Sequence, residues 1–294
     1  MNTCRRGLPM IDTQAVVNSI CNPMARYRDA MVQEFTDWQP LEDAAANLLQ
    51  GKAVDDRQLL PAYRPLVKLM RLIVEVTEKS VWDWASPEVM EVFQEVASGR
   101  IYTLFSEVIV EMIISIMQQI TIGTLLEVGA GPGKLTADLC QAMATRQLEN
   151  VPLIISDQSP TVAETATRLR QAYPSFDITD FIWNLREDAP SELQMKIKPP
   201  VLVFERFCLA YAGCQAIDTI APLADIFIIV DDLSLTGQKA SYDKIYEKIG
   251  SQFLIFEEAR KHLEKYFAFI HTCDEETIQA TNAPVSSFVM SVKP

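Results

Sequence analysis

Apolar positions in the first 120 residues recur at three- and four-residue steps, the period of helices with one buried face. Asn22-Pro23 opens a run with Tyr27, Met31, Phe35 and Trp38 on one stripe, and Pro40 breaks it. Pro40, near a first helical position, starts Leu41 to Leu49, and Pro65 starts a stripe of Leu66, Leu69, Met70, Leu72, Ile73 and Val76. Ser86-Pro87 starts a further helix through Val89, Val92, Phe93 and Val96. A last helix, about Ile101 to Ile120, is apolar nearly all round and is expected to lie sandwiched between this helical region and the remainder of the chain. No strand signal and no convincing internal repeat occur here.

After residue 120 the rhythm changes. Thr124 to Val128, Leu153 to Ile155, Phe176 to Trp183, Val201 to Phe204 and Ile226 to Val230 are short runs, several apolar at consecutive positions, as strands buried on both faces read. Lys134 to Arg146 and Pro160 to Ala172 carry the 3.6 period of crossover helices, which makes the expected architecture α/β, an open parallel sheet with helices on both sides. Lys265 to Cys273 and Ser286 to Val292 read as an antiparallel pair at one sheet edge. The division expected is a helical domain over residues 1–120 and a sheet domain over 121–294.

Lys and Arg total 26 against 39 Asp and Glu, a net charge of −13. A chain this acidic repels phosphate backbones, so nucleic acid is not an expected partner. The cysteines Cys4, Cys21, Cys140, Cys208, Cys214 and Cys273 form no C-x-x-C pair, and only His262 and His271 could join them around a metal, so no metal site is expected. Free thiols in apolar surroundings indicate a reducing, cytoplasmic compartment. Asp12, Gln14 and Asn18 interrupt any secretory apolar segment after Arg5-Arg6, and the uncharged stretch Met112 to Leu126 is shorter than a bilayer needs, so no membrane partner is expected.

Four of the ten glycines stand at 123, 129, 131 and 133, where a special backbone is being built. Leu125-Leu126-Glu127-Val128-Gly129-Ala130-Gly131-Pro132-Gly133-Lys134-Leu135 reads as strand, tight turn and helix, a frame that lets a ligand approach the main chain beside a helix N-terminus. A dinucleotide fingerprint needs its third glycine where Lys134 stands, and a phosphate loop needs a glycine at Val128 and a hydroxyl at Leu135. Glu127 puts a carboxylate beside the loop, which suits an ammonium or hydroxyl better than a pyrophosphate.

Glu127-x-Gly129-x-Gly131-x-Gly133 resembles the first motif of class I S-adenosylmethionine-dependent methyltransferases, and the likeness extends over about residues 120 to 294. The resemblance implies a Rossmann-like, mostly parallel sheet with antiparallel C-terminal edge strands, and S-adenosylmethionine as cofactor. It implies cofactor contacts at Glu127, Gly129, Ala130, Gly131 and Gly133, at Asp157 for the ribose hydroxyls with Gln158 beside it, at Asn184 (competitor Asp180) for the adenine, and at Glu205. Ser156-Asp157-Gln158-Ser159-Pro160 also resembles the C-methyltransferase domains of polyketide synthases, whose fourth-strand turn carries a catalytic histidine where Ala210 stands in this chain.

Methyl transfer from a sulfonium needs mainly positioning, and a base only where the acceptor proton is weakly acidic. Strand-end candidates for that base are Glu205, Tyr211, Asp231 and Asp232, while His271 reads as a packed or surface side chain and His262 as solvated. The family implies an N-terminal helical lid with Tyr27, Tyr102 and Phe105 toward the substrate. The same apolar stripes suit a homodimer interface. The expected activity is methyl transfer to oxygen or carbon of a small-molecule acceptor in natural-product metabolism. A non-methylating scaffold that keeps the cofactor, or a protein methyltransferase, are the alternatives.

Overall fold

A computed structural model describes residues 11–34, 37–84, 86–231, 233–234, 239–272 and 287–293. Cys4, Arg5, Arg6, Phe35, Asp232 and Cys273 lie outside them. Five helices come first: α1 (Thr13–Glu34), α2 (Gln39–Leu49), α3 (Arg64–Thr77), α4 (Pro87–Ala97) and α5 (Arg100–Gln119). Helix α4 starts at Ser86, whose Oγ accepts from the Val89 amide at 3.3 Å, with Pro87 in the first turn where no N–H is needed.

The start predicted at Asn22-Pro23 is corrected. Pro23 lies inside α1, because the apolar stripe already begins at Val16 and Ile20 and continues through Met24 and Tyr27, all buried. Burial along both sides of the proline outweighs its missing donor, a cost of roughly 3 kcal/mol or more in an isolated helix. Helix α5 packs against α1 and against the first crossover helix. It is long and apolar enough to cross a membrane by length and composition, yet eleven of its side chains are buried within the protein.

The second part alternates strand and helix: β1 (Thr124–Val128), α6 (Lys134–Thr145), β2 (Leu153–Asp157), α7 (Val162–Ala172), β3 (Ile178–Ile182), α8 (Ser191–Lys196), β4 (Val201–Arg206), the short α9 (Leu209–Ala212) and α10 (Ala216–Ile220), then β5 (Ile226–Asp231). Beyond it lie β6 (Leu233–Ser234), α11 (Ser241–Glu247), β7 (Leu254–Ile255), α12 (Phe256–Leu263), β8 (Phe269–Thr272) and β9 (Ser287–Val292). The main sheet runs β3-β2-β1-β4-β5-β9-β8, parallel through β5 and antiparallel at β9 and β8, while β6 and β7 form a separate small ladder. The predicted last hairpin shortens at its first strand, since Lys265 to Phe267 turn out of α12 before β8 begins.

Strand alternation assigns the two faces. Leu125, Leu202, Phe204, Ile226 and Ile228 join the core that also holds α1 to α5, whereas Leu126, Val203, Phe227 and Ile229 face α10 and α12. The helices between residues 13 and 119 therefore share one continuous apolar core with a sheet face. The chain order reverses between β1 and β4, which opens a crevice at the carboxyl ends of these strands, the usual ligand position of such sheets.

Candidate functional site

The loop from β1 to α6 holds Gly129 at φ +71° and Gly131 at φ +50°, conformations that side-chain-bearing residues rarely adopt. A Cβ on Gly129 would stand 2.4 Å from Cys208 Cβ, so this glycine lets the β4 turn close against the loop. A Cβ on Gly131 would meet nothing within 4 Å. It would point into open space, so the protein's own packing does not demand the missing side chain there. The loop amides are engaged internally: Ala130 N donates to Ser156 O at 3.0 Å, Gly131 N to Asp157 Oδ2 at 2.9 Å and Gly133 N to Ala130 O at 2.9 Å. The loop offers a ligand close approach, and the carboxylates of Glu127 and Asp157 beside it can accept from a ligand.

Asp157 ends β2, and its Oδ1 accepts from Ser159 N at 2.8 Å. Burial raises its pKa, while the amides of Ser159, Gly131 and Gln158 hold it back. Glu127, 3% exposed on β1, accepts from Thr136 Oγ1, and burial pushes its carboxyl up to about 7.

These groups line a cleft with about 1280 Å³ of empty space, open to solvent. Gly129, Ala130, Gly131, Glu127, Asp157 and Gln158 form its floor, and Asn184 lies at the β3 side. The Asn184 amide also organises its own turn, donating to Glu187 Oε1 and accepting from Arg186 N, both at 3.1 Å. Asp180 is instead paired with Arg170 at 3.0 Å and lies outside the cleft lining.

A second pocket, open to solvent and with about 910 Å³ of empty space, adjoins the first between α2, α3, α5 and the segment after β5. Tyr102, Phe207 and Tyr211 line both. Phe207 has φ +59°, a strained conformation for an aromatic residue, and its ring lies 4.9 Å from Tyr102 and 5.2 Å from Phe105. Asp231, fully buried at the end of β5, lines the second cavity and accepts from Ala210 N at 2.9 Å.

Several expectations change. Glu205 is buried and lines neither cavity, because its oxygens accept from Cys208 N at 3.0 Å and Val230 N at 2.9 Å. It braces the β4 turn against β5 rather than facing a ligand. Tyr27 is fully buried against Phe105, at 5.7 Å between rings, and reaches neither cavity, whereas Phe105 lines the second. His262 is bonded to Asp218 at 2.9 Å rather than solvated. Sequence reasoning missed Trp84, Phe93 and Arg206 in the cleft. Phe93 stood on the apolar stripe of α4, Trp84 precedes that helix, and no sequence signal marks the direction of the strand-end Arg206.

No family model and no curated protein matches the chain. Solved structures do. The C-methyltransferase domain of the citrinin polyketide synthase superposes with a TM-score of 0.64 at 12% identity, over 97% of this chain and 91% of that one. The DszA carbon methyltransferase gives 0.63 at 13%, over 95% and 88%, and the CurJ carbon methyltransferase 0.56 at 14%, over 91% and 70%. The fold of this chain is thus the class I methyltransferase fold, Rossmann-like with antiparallel edge strands, and the helical segment falls within the likeness.

Proposed function

We propose that this chain binds S-adenosylmethionine in the cleft and transfers its methyl group to an oxygen or carbon of a small-molecule acceptor held in the adjoining cavity. The observation that carries the reading is the meeting of two cavities at Tyr102, Phe207 and Tyr211, which line the same cleft as the glycine loop. The likeness to polyketide carbon methyltransferases supports it, as does the fit of the floor: room over Gly131 and carboxylates at Glu127 and Asp157. The cofactor, when bound, supplies a methyl group already activated on a sulfonium.

In this reading Asp157 accepts the ribose hydroxyls, Glu127 accepts the ammonium, and Gln158 and Asn184 border the nucleoside. The aromatic junction excludes water and orients the acceptor atom. Asp231 takes the acceptor proton onto its carboxylate where that proton is weakly acidic, with Tyr211 lining the same junction. Residues 1–120 act as the lid over a methyltransferase domain of residues 121–294.

Calorimetry of S-adenosylhomocysteine with wild type, Gly131→Asp and Asp157→Ala tests the cleft, followed by an acceptor screen that follows demethylated cofactor. Binding lost in both variants, with turnover in wild type, is the expected result. No binding in wild type overturns the reading. Binding without turnover across the screen favours a cofactor-holding scaffold, which Ala210 in place of the catalytic histidine of polyketide C-methyltransferase domains would explain.

A further inference from the structure

The second cavity is lined by aromatic rings and by charge of one sign. Trp38, Phe105, Phe207, Tyr242 and Tyr246 supply much of its wall. Among the described residues that line it the carboxyl groups are Asp231, at the end of β5, and Asp243, on α11, and none is Lys, Arg or His. Two cations stand against wall rings, each with acids of its own. Lys239, 5.6 Å from the Phe253 ring centre, is paired with Glu247. Arg206, 5.2 Å from the Tyr102 ring centre, lines the cleft instead, where Glu127, Asp138 and Glu205 act on it. An anionic group entering the second cavity would shed water and meet carboxylates, a cost with no return. A protonated amine is the converse, since ring faces and carboxylates both attract it.

Helix α11 concentrates these features. Tyr242 and Tyr246 stand four residues apart on it and so share one face, with Asp243 three residues from Tyr246, and all three line the cavity. The helix is fixed in place: the Glu42 carboxylate of α2 accepts from Ser241 N at 2.6 and 2.9 Å, and Asp243 Oδ2 accepts from Ala240 N at 2.6 Å. A carboxylate oriented before the ligand arrives loses less freedom on binding it. Asp231 comes from the sheet instead and accepts from Ala210 N, next in sequence to the junction residue Tyr211. We propose that the acceptor taken by this cavity carries a protonated amine, seated on Asp243 and the rings of Tyr242 and Tyr246, with the atom to be methylated directed to the junction beside Asp231. The inference rests on the functional reading above and extends it to the class of acceptor.

The test uses calorimetry on protein saturated with S-adenosylhomocysteine and three probes on one scaffold: naphthols bearing an aminomethyl, a hydroxymethyl or a carboxyl group at the same ring position. Wild type is expected to bind the ammonium compound about tenfold or more tighter than the neutral one, and the carboxylate more weakly than either. Asp243→Asn should bring the ammonium preference below about threefold while the neutral compound, which reports an intact cavity, keeps its affinity. If Asp243→Asn does not fold, because Asp243 also holds the start of α11, Tyr246→Leu keeps an apolar wall without a ring face and should reduce the preference in the same sense. Equal binding of the ammonium and neutral probes to wild type, tightest binding of the carboxylate, or a full preference surviving in either variant overturns the inference. Binding of none of the three to wild type that holds S-adenosylhomocysteine overturns it as well and leaves the cofactor cleft standing. Failure of wild type to bind S-adenosylhomocysteine overturns the functional reading itself.

Discussion

The cleft at the strand ends draws Glu127, Gly129, Ala130 and Gly131 from one continuous segment and Asp157, Gln158 and Ser159 from another, whereas the adjoining cavity gathers scattered short pieces of the chain from Trp38 to Phe253. The first is shaped by backbone conformation, with left-handed glycines and amides turned onto Asp157. The second is shaped by packing, where Leu41, Met70, Ile101 and Phe105 are core residues of the helices as much as cavity wall. Substitutions in the cleft should therefore separate binding from stability. Substitutions around the second cavity should move both together.

The largest effect is expected from Gly131→Asp, which adds a carboxylate in open cleft space at a position where only φ opposes a side chain. S-adenosylhomocysteine binding should disappear in calorimetry, while thermal unfolding reports a loss of only about 1–2 kcal/mol, the left-handed penalty. Asp231→Asn should lower kcat by roughly 10²-fold or more, as removal of a general base does, with S-adenosylhomocysteine affinity unchanged. Equal loss of affinity would break the division of labour between the cavities.

Phe105→Ala probes the packed side, since Phe105 is 2% exposed between the Tyr27 and Phe207 rings. Denaturant unfolding should show a loss of about 3–5 kcal/mol together with impaired turnover. Stability lost without any change in turnover would mean that the second cavity is a packing gap.

The smallest effect is in pH. Burial pushes both Glu127 and Glu205 from 4.5 up to about 7. A carboxyl raised on folding stabilises the fold fully below its unfolded value, and that contribution is lost as pH rises through its folded value. Stability should fall between pH 4.5 and 7, less steeply in Glu127→Gln and in Glu205→Gln. Affinity for S-adenosylhomocysteine should move the other way, rising severalfold through pH 7 as Glu127 ionises to meet the ammonium. The rise should be absent in Glu127→Gln and for 5′-methylthioadenosine, which has no ammonium.

Local order was readable where local chemistry causes it. Ser86-Pro87 starts α4 because a hydroxyl accepts an orphan amide and proline needs none, and both facts lie within four residues. Thr124 to Val128 is β1 as expected, and the glycine spacing located the loop because left-handed backbone admits little else. Pro23 misled because its helix depends on burial of Ile20 and Tyr27 against other elements. Glu205 misled because a strand-end carboxylate can face a ligand or the amides of its own turn, and the sequence holds no mark of the direction.

What the sequence by itself determined is the order of elements, the parallel sheet and the loop that opens its crevice, because periodicity and glycine conformation act within a few residues. Only the tertiary structure decided that Arg206 faces the cleft and Glu205 the backbone, that Tyr27 is core, and that Tyr102, Phe207 and Tyr211 join two cavities. Those outcomes depend on how α5 packs against the end of β4, roughly 100 residues apart along the chain at Arg206 and Ser106, and contacts at that separation are set by mutual burial rather than by neighbouring sequence.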